Sequence, residues 1–173
     1  VPKSDGLHSR PILDARVQNQ LFEWERVGRS RFRLLRPLSH ARVGVGLGFE
    51  GPIALYECDA TSYFPSFRWA ESLARAHAFR IGGKRYSHLV PAQGCTVMPL
   101  VAQSVSAFLA GAPVADAPEA AFIRAHTSIV YDNWLMTGPP ALLRARVARF
   151  EQRARACGVV LKPNWAEEGV MIS

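Results

Sequence analysis

The chain is poor in cysteine: Cys58, Cys95 and Cys157 are the only three in 173 residues, and none stands at CxxC spacing. That argues against both a disulfide framework and a zinc site, and a reducing compartment is the default. No run of about 18 apolar residues exists, so a membrane span is not expected. Nor is there a charged-then-apolar leader of the secretory kind. The expectation is an intracellular protein, nuclear or cytoplasmic, with no membrane partner. Repeats and low-complexity tracts are absent. The stretch Val43-Gly-Val-Gly-Leu-Gly48 lacks the terminal Gly-Lys-Ser/Thr of a phosphate loop and the spacing of a dinucleotide fingerprint, and it reads as turn or linker. The five histidines, His8, His40, His77, His88 and His126, share no spacing with one another or with cysteine, which leaves no basis for a metal site or a catalytic triad among them.

A hydrophobic content of 49% is ample for a core, in one large domain or two small ones. The chain opens at Val1 in mid-motif and stops at Ser173 just after an apolar run, as a piece of a longer protein would. Net charge is +7, carried mostly by arginine, with an isoelectric point near 9.9. Basic residues cluster from Arg26 to Arg42, at Lys84-Arg85, and from Arg144 to Arg155. Such clusters suit a phosphate backbone, because each Lys or Arg placed near a phosphate releases condensed counterions. Phosphate binding is the more economical reading; the alternative is the solvated face of an arginine-rich protein.

Along the chain, Lys3-Ser-Asp5-Gly6 and the alternating Arg10-Pro-Ile-Leu-Asp14-Ala-Arg16 suggest a hairpin, followed by a short helix between Val17 and Val27. The spacing of Trp69, Leu73, Ala76 and Phe79 predicts a helix over Arg68 to Phe79 with one buried stripe. A strand pair around Gly82-Gly83 follows, then a loop from Pro91 to Pro99 opening a small-residue helix, Leu100 to Leu109. After an Ala/Pro linker come a hairpin within Phe122 to Gly138, an arginine-rich helix Ala141 to Cys157 closed by Gly158, and a strand at Val159-Val-Leu161. In that helix Leu142, Val147 and Phe150 fall broadly to one side. Trp24, Trp69 and Trp134 read as core, and Trp165 as a cover for the sheet. The order predicts an α+β fold, an antiparallel sheet backed by helices on one face.

Two acids stand out. Asp132 lies between two β-prone runs, at what reads as a hairpin tip, and Asp59 ends the apolar run Ile53 to Cys58. Mg²⁺ takes several oxygen ligands in near-octahedral geometry. Two strand-borne aspartates far apart in sequence therefore suggest a two-metal phosphoryl-transfer site. Each acid also has a plain structural use: Asp59 as N-cap of a following helix, and Asp132-Asn133 as a hairpin turn, with Phe64 in the core.

Taken together the chain resembles the reverse transcriptases of retroelements, and the likeness runs through nearly its whole length in order. Lys3 and Arg10, in the opening hairpin, stand where that family holds the incoming triphosphate; Asp59 with Phe64 five places on is similar to its first palm motif. Gln93-Gly94-Cys-Thr-Val-Met98-Pro99 resembles its QGxxxSP loop, Val130-Tyr131-Asp132-Asn133 stands in place of YxDD, and Gly158 to Leu161 falls at its helix-to-strand motif.

The resemblance implies a right-hand polymerase palm, residues 51–173, with part of the fingers, residues 1–50. It implies an RNA-directed DNA polymerase of a retrotransposon, a nucleotidyltransferase extending a primer 3′-hydroxyl. Asp59 and Asp132 would hold two Mg²⁺ (or Mn²⁺) about 3.5–4 Å apart, the Ala60 carbonyl adding a neutral oxygen and Asn133 standing beside them. Lys3 and Arg10 would neutralise the β- and γ-phosphates, Arg as a planar fork. Phe64 would crowd a 2′-hydroxyl, and Gln93 and Gly94 would pack beneath template and nucleotide. Partners would be an RNA template, a DNA or RNA primer, deoxynucleoside triphosphates and the rest of a polyprotein, with a thumb and a nuclease domain among its parts. The chain departs from the pattern at Asn133, which replaces the second aspartate, and at Val130, which replaces the tyrosine. It departs again at Ala92, inserted between Pro91 and Gln93, and at Lys162, which comes early for the motif's lysine. An inactive polymerase-like scaffold binding nucleic acid or protein is the other expectation those changes raise.

Overall fold

The computed structural model describes residues 16–20, 52–91, 94–111, 123 and 125–166, with backbone alone for 17, 18 and 166. The described elements are α1 (Arg16–Asn19), β1 (Ala54–Ala60), α2 (Tyr63–Ser66), α3 (Glu71–Ala76), β2 (Ala78–Ile81), β3 (Lys84–Ser87), α4 (Met98–Ala110), β4 (Thr127–Val130), β5 (Asn133–Gly138), α5 (Pro140–Ala156) and β6 (Leu161–Ala166). They fall into two compact units, Val1–Arg31 with Phe64–Leu100, and Phe32–Tyr63 with Val101–Ser173. The class is α+β, with an antiparallel sheet backed by helix.

The second unit holds a four-stranded sheet in the order β4-β5-β1-β6, every neighbouring pair antiparallel. Alternation along β1 buries Ala54, Tyr56, Cys58 and Ala60 and turns Leu55, Glu57 and Asp59 to the more open face. On β5 the buried positions include Trp134 and Met136. Helix α5 covers that buried face with Leu143, Val147, Phe150 and Ala154, which recur every three or four residues. The Phe150 ring lies 5.1 Å from Trp134 and 6.3 Å from Tyr56, centroid to centroid. Each such side chain contributes about 1.5–3 kcal/mol on full burial, so this aromatic trio dominates the unit's core. Burial also pushes the Tyr56 phenol far up, and its hydroxyl donates to Glu151 Oε1 at 3.1 Å.

The sequence expectation put Leu142 in the buried stripe. The structure instead exposes Leu142 and buries Leu143, the residue in phase with 147, 150 and 154. The helix ends as its glycine predicts. Gly158 takes a φ of +71°, its N–H bonds the Arg155 carbonyl at 3.0 Å, and the Val159 N–H bonds that of Ala154 at 2.9 Å. Because Val159 is committed to this cap, the returning strand starts at Leu161, later than the expected Val159.

In the first unit, Gly82 and Gly83, at φ +55° and +78°, make the expected two-residue turn between β2 and β3. The helix expected over residues 68–79 is shorter. Only Glu71–Ala76 is helical, and Phe79 belongs to β2, its ring against Tyr86 (5.8 Å) and His88 (4.8 Å). Cross-strand pairing with β3 outweighs the helical spacing, and the residues actually buried are Ala74 and His77, with Leu73 exposed. Trp69 is half-buried and stacks on His77 at 5.1 Å. Arg16–Asn19 is one helical turn, beginning at the last residue of the expected hairpin and running into the short helix expected between Val17 and Val27. The rest of that hairpin, the remainder of that helix with Trp24, and the glycine-rich stretch lie outside the described residues. Among the described residues no helix is long and apolar enough to cross a membrane.

Candidate functional site at the rim of the sheet

Asp59 and Asp132 lie at neighbouring places on one rim of the sheet. Asp59 is the penultimate residue of β1, in register with Asn133 on β5 and Lys162 on β6. One step on, the Ala60 N–H donates to the Asp132 carbonyl at 2.9 Å. That bond makes Asp59–Asn133 the non-hydrogen-bonded kind of antiparallel pair, with Cα atoms about 4.5 Å apart and side chains on the same face. Asp59 therefore sits within the strand, and the N-cap use open to it on sequence grounds does not apply. The row Asn133, Asp59, Lys162 crosses three strands, and the tip of the β4–β5 hairpin, Tyr131-Asp132, adjoins it.

Both ends of this rim hold strained backbone. Among the described residues the non-glycine positions with positive φ are Ser62, at +51°, and Tyr131, at +52°. Ser62 follows the end of β1, and Tyr131 is the first of the two turn residues of the hairpin. A non-glycine residue held there costs about 1–3 kcal/mol and persists only where its surroundings over-determine it. At Tyr131 they do. Gln103 Oε1 accepts from the Tyr131 N–H at 2.9 Å, Gln103 Nε2 donates to the Ile129 carbonyl at 3.0 Å, and Ser106 Oγ donates to the Tyr131 carbonyl. The Tyr63 hydroxyl lies 2.8 Å from Ser106 Oγ and donates to the Ala102 carbonyl at 3.3 Å, and Trp134 Nε1 donates to the Ser106 carbonyl at 3.1 Å.

Burial raises the Tyr63 phenol, the Ser106 contact pulling it back and the negative charge of Asp132 adding to the rise. Tyr63 is thus a neutral hydroxyl within electrostatic reach of Asp132. Cys58, next to Asp59 on the buried face, is likewise pushed up by burial, which keeps it a thiol.

The donor set at the rim is two carboxylates and main-chain oxygen, all hard ligands. Among the described residues no group of three or more His, Cys, Asp or Glu is arranged to hold a metal ion. Two carboxylates with the remaining positions left to water or phosphate match the way Mg²⁺ is usually held.

The other expected residues are placed as follows. Phe64 belongs to the first unit, half-buried in α2. Gly94, at φ +107°, is in the first unit too, where its carbonyl accepts from Asn19 Nδ2 at 3.1 Å while Asn19 Oδ1 accepts the Thr96 N–H at 3.0 Å. Cys95 beside it is buried and its thiol raised by that burial, which leaves it a packing residue. Lys3, Arg10 and Gln93 lie outside the described residues. Lys162, early against the sequence motif, stands directly across from Asp59.

Sequence reasoning missed Gln103, Ser106 and Tyr63 as supports of the hairpin, and Asn19 as the clamp on the Gly94 loop. An uncharged polar residue on a helix carries no periodic signal of such a task. The nearest hint was the spacing of Gln103 and Ser106, three apart and so on one helix face. No model of a known protein family matches this chain, and no curated protein matches it.

Proposed function

We propose that this chain is the palm and part of the fingers of an RNA-directed DNA polymerase of retroelement type. The observation that carries the proposal is that Asp59 and Asp132 stand at adjoining backbone positions on one rim, through the Asp59–Asn133 register and the Ala60–Asp132 bond. Mg²⁺ or Mn²⁺ bound there would supply charge neutralisation for phosphoryl transfer to a primer 3′-hydroxyl. Asp59 and Asp132 would hold it, with the Ala60 carbonyl as a neutral oxygen, and Asn133 would offer a hydrogen-bonding group in place of a further charge. Lys3 and Arg10 would take the triphosphate, Phe64 would exclude a 2′-hydroxyl, and the Gln93-Gly94 loop would support template and nucleotide. Lys162 supplies a positive charge beside Asp59, where a negatively charged nucleotide would have to approach.

Primer extension on an RNA template with Mg²⁺ or Mn²⁺ tests the proposal. The full chain should extend a primer with deoxynucleotides, and Asp59→Ala and Asp132→Ala should each abolish extension while leaving the melting temperature near that of the parent. No product, or product indifferent to both substitutions, overturns it. Phe64→Ala should admit ribonucleotides, measured as the ratio of kcat/KM for the two sugars. An unchanged ratio removes Phe64 from the sugar gate.

A second reading, a polymerase-like scaffold that binds nucleic acid without chemistry, is favoured by Asn133 at the second acidic place. It predicts RNA binding that survives Asp59→Ala, with no extension under either metal.

A further inference from the structure

We infer that Gln103 is a positioning residue for Asp132, holding the hairpin tip in a backbone conformation that its own sequence disfavours. The inference rests on the reading of Asp59 and Asp132 as a metal-holding pair. β4 is an edge strand, paired on one side by β5 and by no strand of the described residues on the other. The Gln103 amide reaches that edge and bonds as a strand would, accepting from the Tyr131 N–H at 2.9 Å and donating to the Ile129 carbonyl at 3.0 Å. A primary amide suits the task because it carries the same donor and acceptor as a peptide group.

Ser106, one turn further along α4, takes the Tyr131 carbonyl. The two peptide groups flanking the Tyr131 Cα are therefore bonded by side chains of one helix, and their planes set its φ and ψ. Tyr131 is an aromatic residue at φ +52°, where glycine is the usual occupant. If Tyr131 relaxed to negative φ, the peptide linking it to Asp132 would swing, and the Asp132 side chain would leave the direction set by the Ala60 bond. Gln103 thus acts on Asp132 through the backbone of Tyr131.

The test uses the full chain and Mn²⁺ alone as probe, with affinity read by electron paramagnetic resonance. Wild type and Asp132→Asn come first: wild type should bind, and Asp132→Asn should bind much more weakly. Gln103→Met keeps the length and shape of the side chain and loses both hydrogen bonds. It should weaken Mn²⁺ binding about 10- to 100-fold, the usual effect of losing an outer-shell partner. Adding Tyr131→Gly to Gln103→Met should recover most of the loss, because glycine takes a positive φ unaided. A merely space-filling Gln103 would show no such rescue.

Gln103→Glu, which keeps the acceptor for Tyr131 and loses the donor for Ile129, should fall between wild type and Gln103→Met. It carries the same comparison if Gln103→Met does not fold. Wild-type affinity in both Gln103 variants, or a loss that Tyr131→Gly leaves unrepaired, overturns the inference while the metal reading stands. Absence of Mn²⁺ binding by wild type, or binding unmoved by Asp132→Asn, overturns the metal reading itself and this inference with it.

Discussion

Asp132 directly follows a tyrosine at φ +52°, and Asp59 stands three places before a serine at φ +51°. At Tyr131 the strain is offset by hydrogen bonds with Gln103 and Ser106, residues that carry no charge. His126, the residue just before the hairpin's first strand, illustrates a different dependence on surroundings. Burial first, and the charge of Arg146 second, hold its imidazole below the ordinary value of 6.5. Above 6.5 both the folded and unfolded chains carry it neutral, and it adds no pH dependence. Below 6.5 the unfolded chain binds a proton that the folded one resists, so stability falls as pH drops toward the folded pKa. Urea midpoints measured between pH 7.5 and 5 should decline, and His126→Gln should flatten part of that decline.

Among the elements, the turns and caps were the most legible. Gly82-Gly83 announced the β2–β3 turn and Gly158 the end of α5, since few residues other than glycine take a positive φ cheaply. A Cβ at Gly83 would meet nothing within 4 Å, so Gly83→Ala costs only the backbone conformation. That substitution should lower stability by about 1 kcal/mol, read from urea denaturation. A much smaller change would show that the turn relaxes. Helix α3 was less legible. Trp69, Leu73, Ala76 and Phe79 fit a helical stripe, yet Phe79 pairs across β2–β3 with Tyr86, because the strand just beyond the Gly82-Gly83 turn offers a better partner than the next helical turn. A phase error of one residue on α5 exchanged Leu142 for Leu143 for the same reason: the sheet beneath chooses the face.

For the molecule as a whole, net charge pointed to a polyanion as partner, and the structure sorts the arginines of α5 by exposure. Arg146 is buried, with Nη2 donating to Thr127 Oγ1 at 2.7 Å, and Arg153 Nε donates to the Leu109 carbonyl at 2.6 Å. Arg144, Arg149 and Arg155 are exposed on α5, whose described exposed positions include no acid. Single-stranded RNA binding should weaken with salt, and the combined Arg144→Ala, Arg149→Ala, Arg155→Ala chain should show a shallower slope of log K against log salt. If each arginine neutralises one phosphate, removing the three changes that slope by about 2, at roughly 0.7 per phosphate. An unchanged slope would place the nucleic acid on another surface.

The site shows most plainly where sequence ends. That Asp59 lies near the end of a strand and Asp132 at a hairpin tip follows from the apolar and β-prone runs beside each in the chain, which are local properties. The α+β class follows from the same local signals taken in order. That Asp59 faces Asn133 and Lys162, and that Gln103 and Ser106 grip Tyr131 across the edge of β4, depends on sheet register and helix placement. Those are fixed by burial of Tyr56, Trp134 and Phe150 among residues far apart in the chain, a cooperative outcome of packing that no local pattern encodes.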